Sequence, residues 1–129
     1  MSKTIHQEVV ISAASNRIYE ALLDSKQFSE MTGGAPTDIS PEAGGTFSCF
    51  GGMIEGRNIE LVPGKRIVQA WRVKTWEEGK YSIAKFELQE DGGKTKIIFD
   101  QIGFPEEEGS HLDAGWGQNY WNPLEKYLG

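Results

Sequence analysis

Apolar and polar positions keep a period of two at the start of the chain, change to a helical period, and change back. Ile5, Gln7, Val9 and Ile11 alternate with His6, Glu8 and Val10, which predicts a half-buried strand over 4–11. Ser12 is expected to cap a helix running through Asp24, with Ile18, Tyr19, Leu22 and Leu23 as its apolar face. Asp24-Ser25-Lys26-Gln27 has capping-box spacing for a second short helix. Phe28 and Met31 face inward from it, and Thr32-Gly33-Gly34 ends it.

From there the period is two. Gly44-Gly45 is a turn, and Phe47 and Cys49 share one face of a strand closed by Gly51-Gly52. Residues 53–62 read as a mostly polar strand, followed by the tight turn Pro63-Gly64. Over 66–75, Ile67, Gln69, Trp71 and Val73 lie on one face and Val68, Ala70, Arg72 and Lys74 on the other. Glu78-Gly79 turns into a strand over 81–89 whose apolar face is Ala84, Phe86 and Leu88. Asp91-Gly92-Gly93 predicts a hairpin into 95–102, with Ile97, Phe99 and Gln101 inward and Lys96 and Asp100 outward. Residues 104–109, with Glu106-Glu107-Glu108, read as an exposed acidic loop.

The helical period returns over 114–128. Trp116, Tyr120, Leu124 and Tyr127 form one stripe, with Gly117, Trp121 and Leu128 on its shoulder. Aromatic side chains bury roughly 150–250 Å² each, so this helix needs a broad apolar surface opposite. Pro123 has no N–H for the carbonyl of Asn119, and a bend is expected there. A sheet with one apolar face and an aromatic helix cover each other. The expected fold is therefore α+β: a curved antiparallel sheet gripping a long C-terminal helix, with two short helices after the first strand.

Composition narrows the function. The 129 residues suit one domain over 1–129 with a real core, and 38% apolar against 25% charged residues argues against disorder. No apolar run approaches the ~20 residues of a membrane span. The start alternates and does not read as a signal peptide. Cys49 stands alone, so no internal disulfide forms, which fits a cytoplasmic location. A net charge of −6 with no basic block makes nucleic acid a poor partner.

The order of elements and several strings resemble one known family. These are Gly44-Gly45-Thr46-Phe47, then Leu61-Val62-Pro63-Gly64-Lys65-Arg66-Ile67-Val68 followed by Trp71-Arg72, then Gly115-Trp116 followed by Tyr120-Trp121. Together they resemble the homologues of the activator of the heat-shock chaperone ATPase, within the START-like, polyketide-cyclase-like superfamily. That resemblance implies the helix-grip fold and an apolar cavity between sheet and helix. Relatives in the superfamily bind lipids, sterols, phenolics or polyketides. The N-terminal domain that engages the chaperone in the eukaryotic co-factor has no counterpart in these 129 residues, which weakens an expectation of chaperone activation.

The candidate chemistry is binding. The inner face offers Gln7, Gln69 and Gln101 but no carboxylate or histidine to act as acid or base. His6 reads as solvent-facing and His111 as a loop residue. Two distant histidines and one cysteine make no metal set, and no cofactor motif is present. Neither an enzyme nor a cofactor is expected. The expected ligand walls are Phe47, Trp71, Phe86 and Phe99 from the sheet and Trp116 and Tyr120 from the helix, with Met31 near the mouth. Gln69, Gln101 or Tyr120 would orient a small hydrophobic molecule. The opposing expectation is that these side chains simply fill the interior. A third expectation is a chaperone or other protein partner docking on the outer row Arg72, Lys74 and Trp76 beside Tyr81 and Ile83.

Overall fold

The computed structural model describes residues 4–128; the first three residues and Gly129 of the expected domain lie outside them. The first strand, β1 (Thr4–Ile11), follows the predicted alternation, with Ile5 and Ile11 buried. Helix α1 (Ser15–Leu23) starts later than expected. Its N-cap is Ala14, not Ser12, and no side chain of that residue caps it. Glu90 takes over the role, accepting the Ser15 N–H at 2.8 Å. Local sequence predicts a cap only when the cap is local. In α2 (Ser25–Met31) it is: Asp24 accepts the Gln27 N–H at 2.9 Å, and Phe28 and Met31 are buried.

The remaining strands are β2 (Asp38–Ile39), β3 (Thr46–Cys49), β4 (Ile54–Val62), β5 (Arg66–Val73), β6 (Ser82–Asp91) and β7 (Lys94–Ile102). The two-residue β2 was not foreseen; it is too short to show a period. All pairs are antiparallel, in the order β1-β7-β6-β5-β4-β3-β2. In β4, Asn58 pairs with Gln69 and Glu60 with Val68, leaving Ile59 as an unpaired extra residue. Such a bulge adds local twist and bend to the strand. Gly56 sits where backbones come closest: a Cβ there would lie 1.9 Å from the Ala70 carbonyl oxygen and 2.6 Å from Phe47 Cζ.

The acidic segment is not wholly loop. Glu106–Glu108 forms a 3-10 turn that runs into α3 (Gly109–Trp116), so the last helix begins before residue 114 and contains His111. A π-helical turn, Gly117–Trp121, follows, then α4 (Asn122–Leu128). Just before Pro123, where a bend is expected, the Asn122 N–H reaches back five residues to the Gly117 carbonyl. The wider turn precedes the proline, and Tyr120 and Trp121, adjacent in sequence, are both buried. The fold is α+β, a seven-stranded sheet covered by this helix.

Candidate functional site

The space between sheet and helix is filled. Ring centroids of Trp116 lie 4.2 Å from Phe99, 4.4 Å from Tyr120 and 5.1 Å from Trp71, and Phe86 lies 5.0 Å from Phe99. The void left among Phe28, Phe47, Gln69, Phe86 and Tyr120 is about 10 Å³. That is no more than one water needs. Among the described residues, these rings leave no enclosed cavity of the size expected from sequence, because the large side chains interdigitate.

The inner glutamines are also engaged. Gln101 accepts the Trp116 indole N–H at 2.8 Å and donates to Ser82 Oγ at 2.9 Å, and that hydroxyl donates to the Trp71 carbonyl at 2.7 Å. Gln69 donates to Asn58 Oδ1 at 3.1 Å. Gln7 accepts the Trp121 indole N–H at 2.6 Å and donates to Asp113. A buried polar group in the core needs such a partner. These amides hold the sheet to the helix or to itself, and Gln69 and Gln101 do not face open space as expected.

Open space lies instead at one end of the helix. A half-open cleft of about 440 Å³ runs between α3 and the β4–β5 end of the sheet. Its apolar wall is Phe50, Met53, Ile54, Trp71, Val73, Leu112, Gly115, Trp116 and Tyr120; its polar groups are Thr75, Glu108, His111 and Asn119. Of the expected ligand contacts, Trp71, Trp116 and Tyr120 line it. Gln69 and Phe86 reach only the small void, Phe47 reaches that void and a separate depression beside Gly56 and Arg57, and Phe99 and Gln101 belong to the core. Met31 borders a separate open depression with Tyr127 and Pro123, away from the cleft mouth.

Sequence reasoning missed Phe50, Leu112 and His111. Leu112 and His111 precede the expected helix start, and the triple-Glu run hid the helical period. Phe50 stands in a 3-10 turn with φ +53°, followed by Gly51 at +67° and Gly52 at +93°. A bulky side chain in the left-handed region costs on the order of 1 kcal/mol or more. Packing holds it there, its ring 5.6 Å from Phe28 and 5.8 Å from Tyr120, both edge-on.

Tyr120 has a further feature. Its hydroxyl accepts the Trp71 indole N–H at 3.3 Å, and among the described residues no acceptor takes its own proton. Burial pushes its phenol far above the ordinary range. Burial likewise pushes the Cys49 thiol up to about 12. Neither group ionises near neutral pH. Among the described residues, no cluster of His, Cys, Asp and Glu is placed to hold a metal ion.

The outer row is corrected. Strand β5 ends at Val73, so parity does not carry to Trp76. The chain turns back, and Trp76 is buried against Trp71 with ring centroids 5.9 Å apart. Arg72 is buried too, donating to the carbonyls of Trp76 at 2.6 Å and Lys80 at 3.2 Å and to Glu55 at 2.5 Å. It clamps the 74–80 turn, beneath the Tyr81 ring. Lys74 and Tyr81 are exposed, as are Ile83 and its cross-strand neighbour Ile102.

The family model "Activator of Hsp90 ATPase homolog 1-like protein" matches residues 12–129. The human activator of 90 kDa heat shock protein ATPase homolog 1 is 30% identical over 95 residues, 74% of this chain and 28% of its own length. The Dictyostelium discoideum homologue is 39% identical over 79 residues, 60% of this chain and 21% of its own. The chain thus spans less than a third of these relatives. The crystal structure of an HSP90 activator from Plasmodium falciparum superposes with TM-score 0.93 at 21% identity, covering 98% of this chain and 96% of that one. A putative protein of the dynemicin biosynthetic locus superposes with TM-score 0.81 at 18% identity, over 99% of this chain and 48% of its own. At those identities the two structures speak for the fold. No helix among the described residues is long and apolar enough to cross a membrane. The chain belongs to the family of activator of Hsp90 ATPase homolog 1-like proteins.

Proposed function

We propose that this domain is a non-catalytic, cytoplasmic binding protein that takes a small hydrophobic molecule in the cleft beside α3, not in the sheet–helix interior. The observation that carries this is the cleft itself: about 440 Å³, within the range of roughly 300–1,000 Å³ of small-molecule sites, and walled by Trp71, Trp116 and Leu112. Burial of apolar ligand surface supplies the affinity. Tyr120 supplies orientation, since its buried hydroxyl has a proton to donate. Burial holds the Cys49 thiol and the Tyr120 phenol protonated near neutral pH, so neither serves as a nucleophile or base there.

Gly115 offers the test. It lines the cleft from inside a helix, where alanine or leucine gives a more stable helix by roughly 1 kcal/mol. A Cβ there meets only Asn119 Nδ2, at 3.6 Å. Gly115→Leu is expected to raise the melting temperature slightly while filling the cleft. Native and denaturing mass spectrometry then compare carried ligand. Extra mass in the wild type and its loss in Gly115→Leu supports the reading; equal mass in both contradicts it.

A second reading, docking on a chaperone of the Hsp90 type, is supported by family membership and by the exposed apolar neighbours Tyr81, Ile83 and Ile102. Ile83→Glu is expected to weaken such docking and leave the cleft unaffected.

A further inference from the structure

The cleft is blind, and one strained ring closes it. Phe50, Phe28 and Tyr120 stand mutually edge-on at 5.6, 5.7 and 5.8 Å. Phe50 and Tyr120 line the cleft, and Phe28 and Tyr120 line the small void behind it. The three rings therefore form a partition between open cleft and filled interior. Behind them only about 10 Å³ is free, so a flexible chain threading inward has nowhere to go.

We infer that the cleft selects compact, ring-sized apolar ligands over extended acyl chains, and that Phe50 is the residue setting this limit. The inference rests on the ligand-binding reading above and specifies its ligand class. A flat ligand can lie along Trp71 and Trp116 with its polar substituent toward His111 and Glu108 at the rim. An acyl chain long enough to need more depth must displace Phe50. The geometry of this residue suits a selectivity filter. Its φ of +53° is one that glycine adopts freely, and Gly51 and Gly52 after it are also left-handed. The ring stays in place through its contacts with Phe28 and Tyr120. Removing it leaves the backbone in a conformation that no longer strains the residue.

The experiment uses displacement of anilinonaphthalene sulfonate, with naphthol as the compact competitor and octanoic, dodecanoic and hexadecanoic acids as the extended ones. In the wild type, naphthol is expected to compete and the two longer acids are not. In Phe50→Gly the longer acids are expected to gain about ten-fold in affinity, as two further buried methylenes would give. Phe50→Leu, which keeps an apolar side chain, is expected to fall between, and thermal melts confirm that each variant is folded. Hexadecanoic acid competing as well as naphthol in the wild type overturns the inference. So does an unchanged chain-length profile in both folded variants. Dye and naphthol binding with either of those results leaves the ligand-binding reading standing, whereas a wild type silent toward every probe overturns both.

Discussion

The indole N–H of Trp116 is held by Oε1 of Gln101 at 2.8 Å, deep between helix and sheet. Gln101 is fully buried, and its amide nitrogen in turn meets Ser82 Oγ. Replacing it by leucine leaves an indole N–H with no partner in the core. Gln101→Leu is expected to cost about 2–3 kcal/mol, read from urea unfolding. A loss under about 0.5 kcal/mol would show that the bond contributes little.

Backbone proximity gives a second expectation. The Cβ of Gly56→Ala would fall on the Ala70 carbonyl oxygen across the β4–β5 pair and on the Phe47 ring. Neither neighbour is the free end of a flexible side chain. The variant is expected to lose about 3 kcal/mol or more, or to fail to fold, by the same assay.

Some of this was legible in the sequence and some was not. Parity placed Gln7, Gln69 and Gln101 inward, because alternation is local. Their partners Trp121, Asn58 and Trp116 lie far along the chain or across a bulge, so inward polarity read equally well as a site for a ligand. Trp76 was misplaced because the end of β5 has no marker in its residues; Arg72 makes the turn by gathering distant carbonyls. The helical period around His111 is masked by the triple-Glu run and by Gly109 and Ser110, which carry no apolar stripe. Whether rings enclose a cavity or fill it depends on summed volumes, which no periodicity encodes.

Acidity should matter on the outer face of the β1–β7 pair. His6 bridges Asp100 at 2.6 Å and Glu8 at 3.0 Å, and Lys96 meets Glu8 at 2.8 Å. The hydrogen bond to Asp100, then that to Glu8, raises the His6 pKa above its ordinary 6.5. A raised folded-state value means stabilisation fully present below pH 6.5 and lost as pH rises through the folded pKa. His6→Gln is therefore expected to lower stability at about pH 6 and to match the wild type at about pH 9. In an NMR titration Asp100→Asn should move the His6 midpoint down. A midpoint unmoved by that substitution contradicts the account.

Cys49 supplies a reactivity expectation. Its thiol is buried and its pKa pushed up to about 12, so thiolate is scarce in the folded protein. Iodoacetamide at about pH 8 is expected to leave the native protein unmodified for hours and to label it rapidly in denaturant. Fast native labelling would mean that β3 opens readily.

Amide and indole NMR shifts during titration with naphthol show whether the cleft beside α3, and not the packed interior, takes the ligand. Shifts are expected to group at Leu112, Gly115, Asn119 and the indole of Trp71, and to be absent in Gly115→Leu. Shifts centred on Tyr81, Ile83 and Ile102, or no shifts at all at saturating probe, would contradict binding in the cleft.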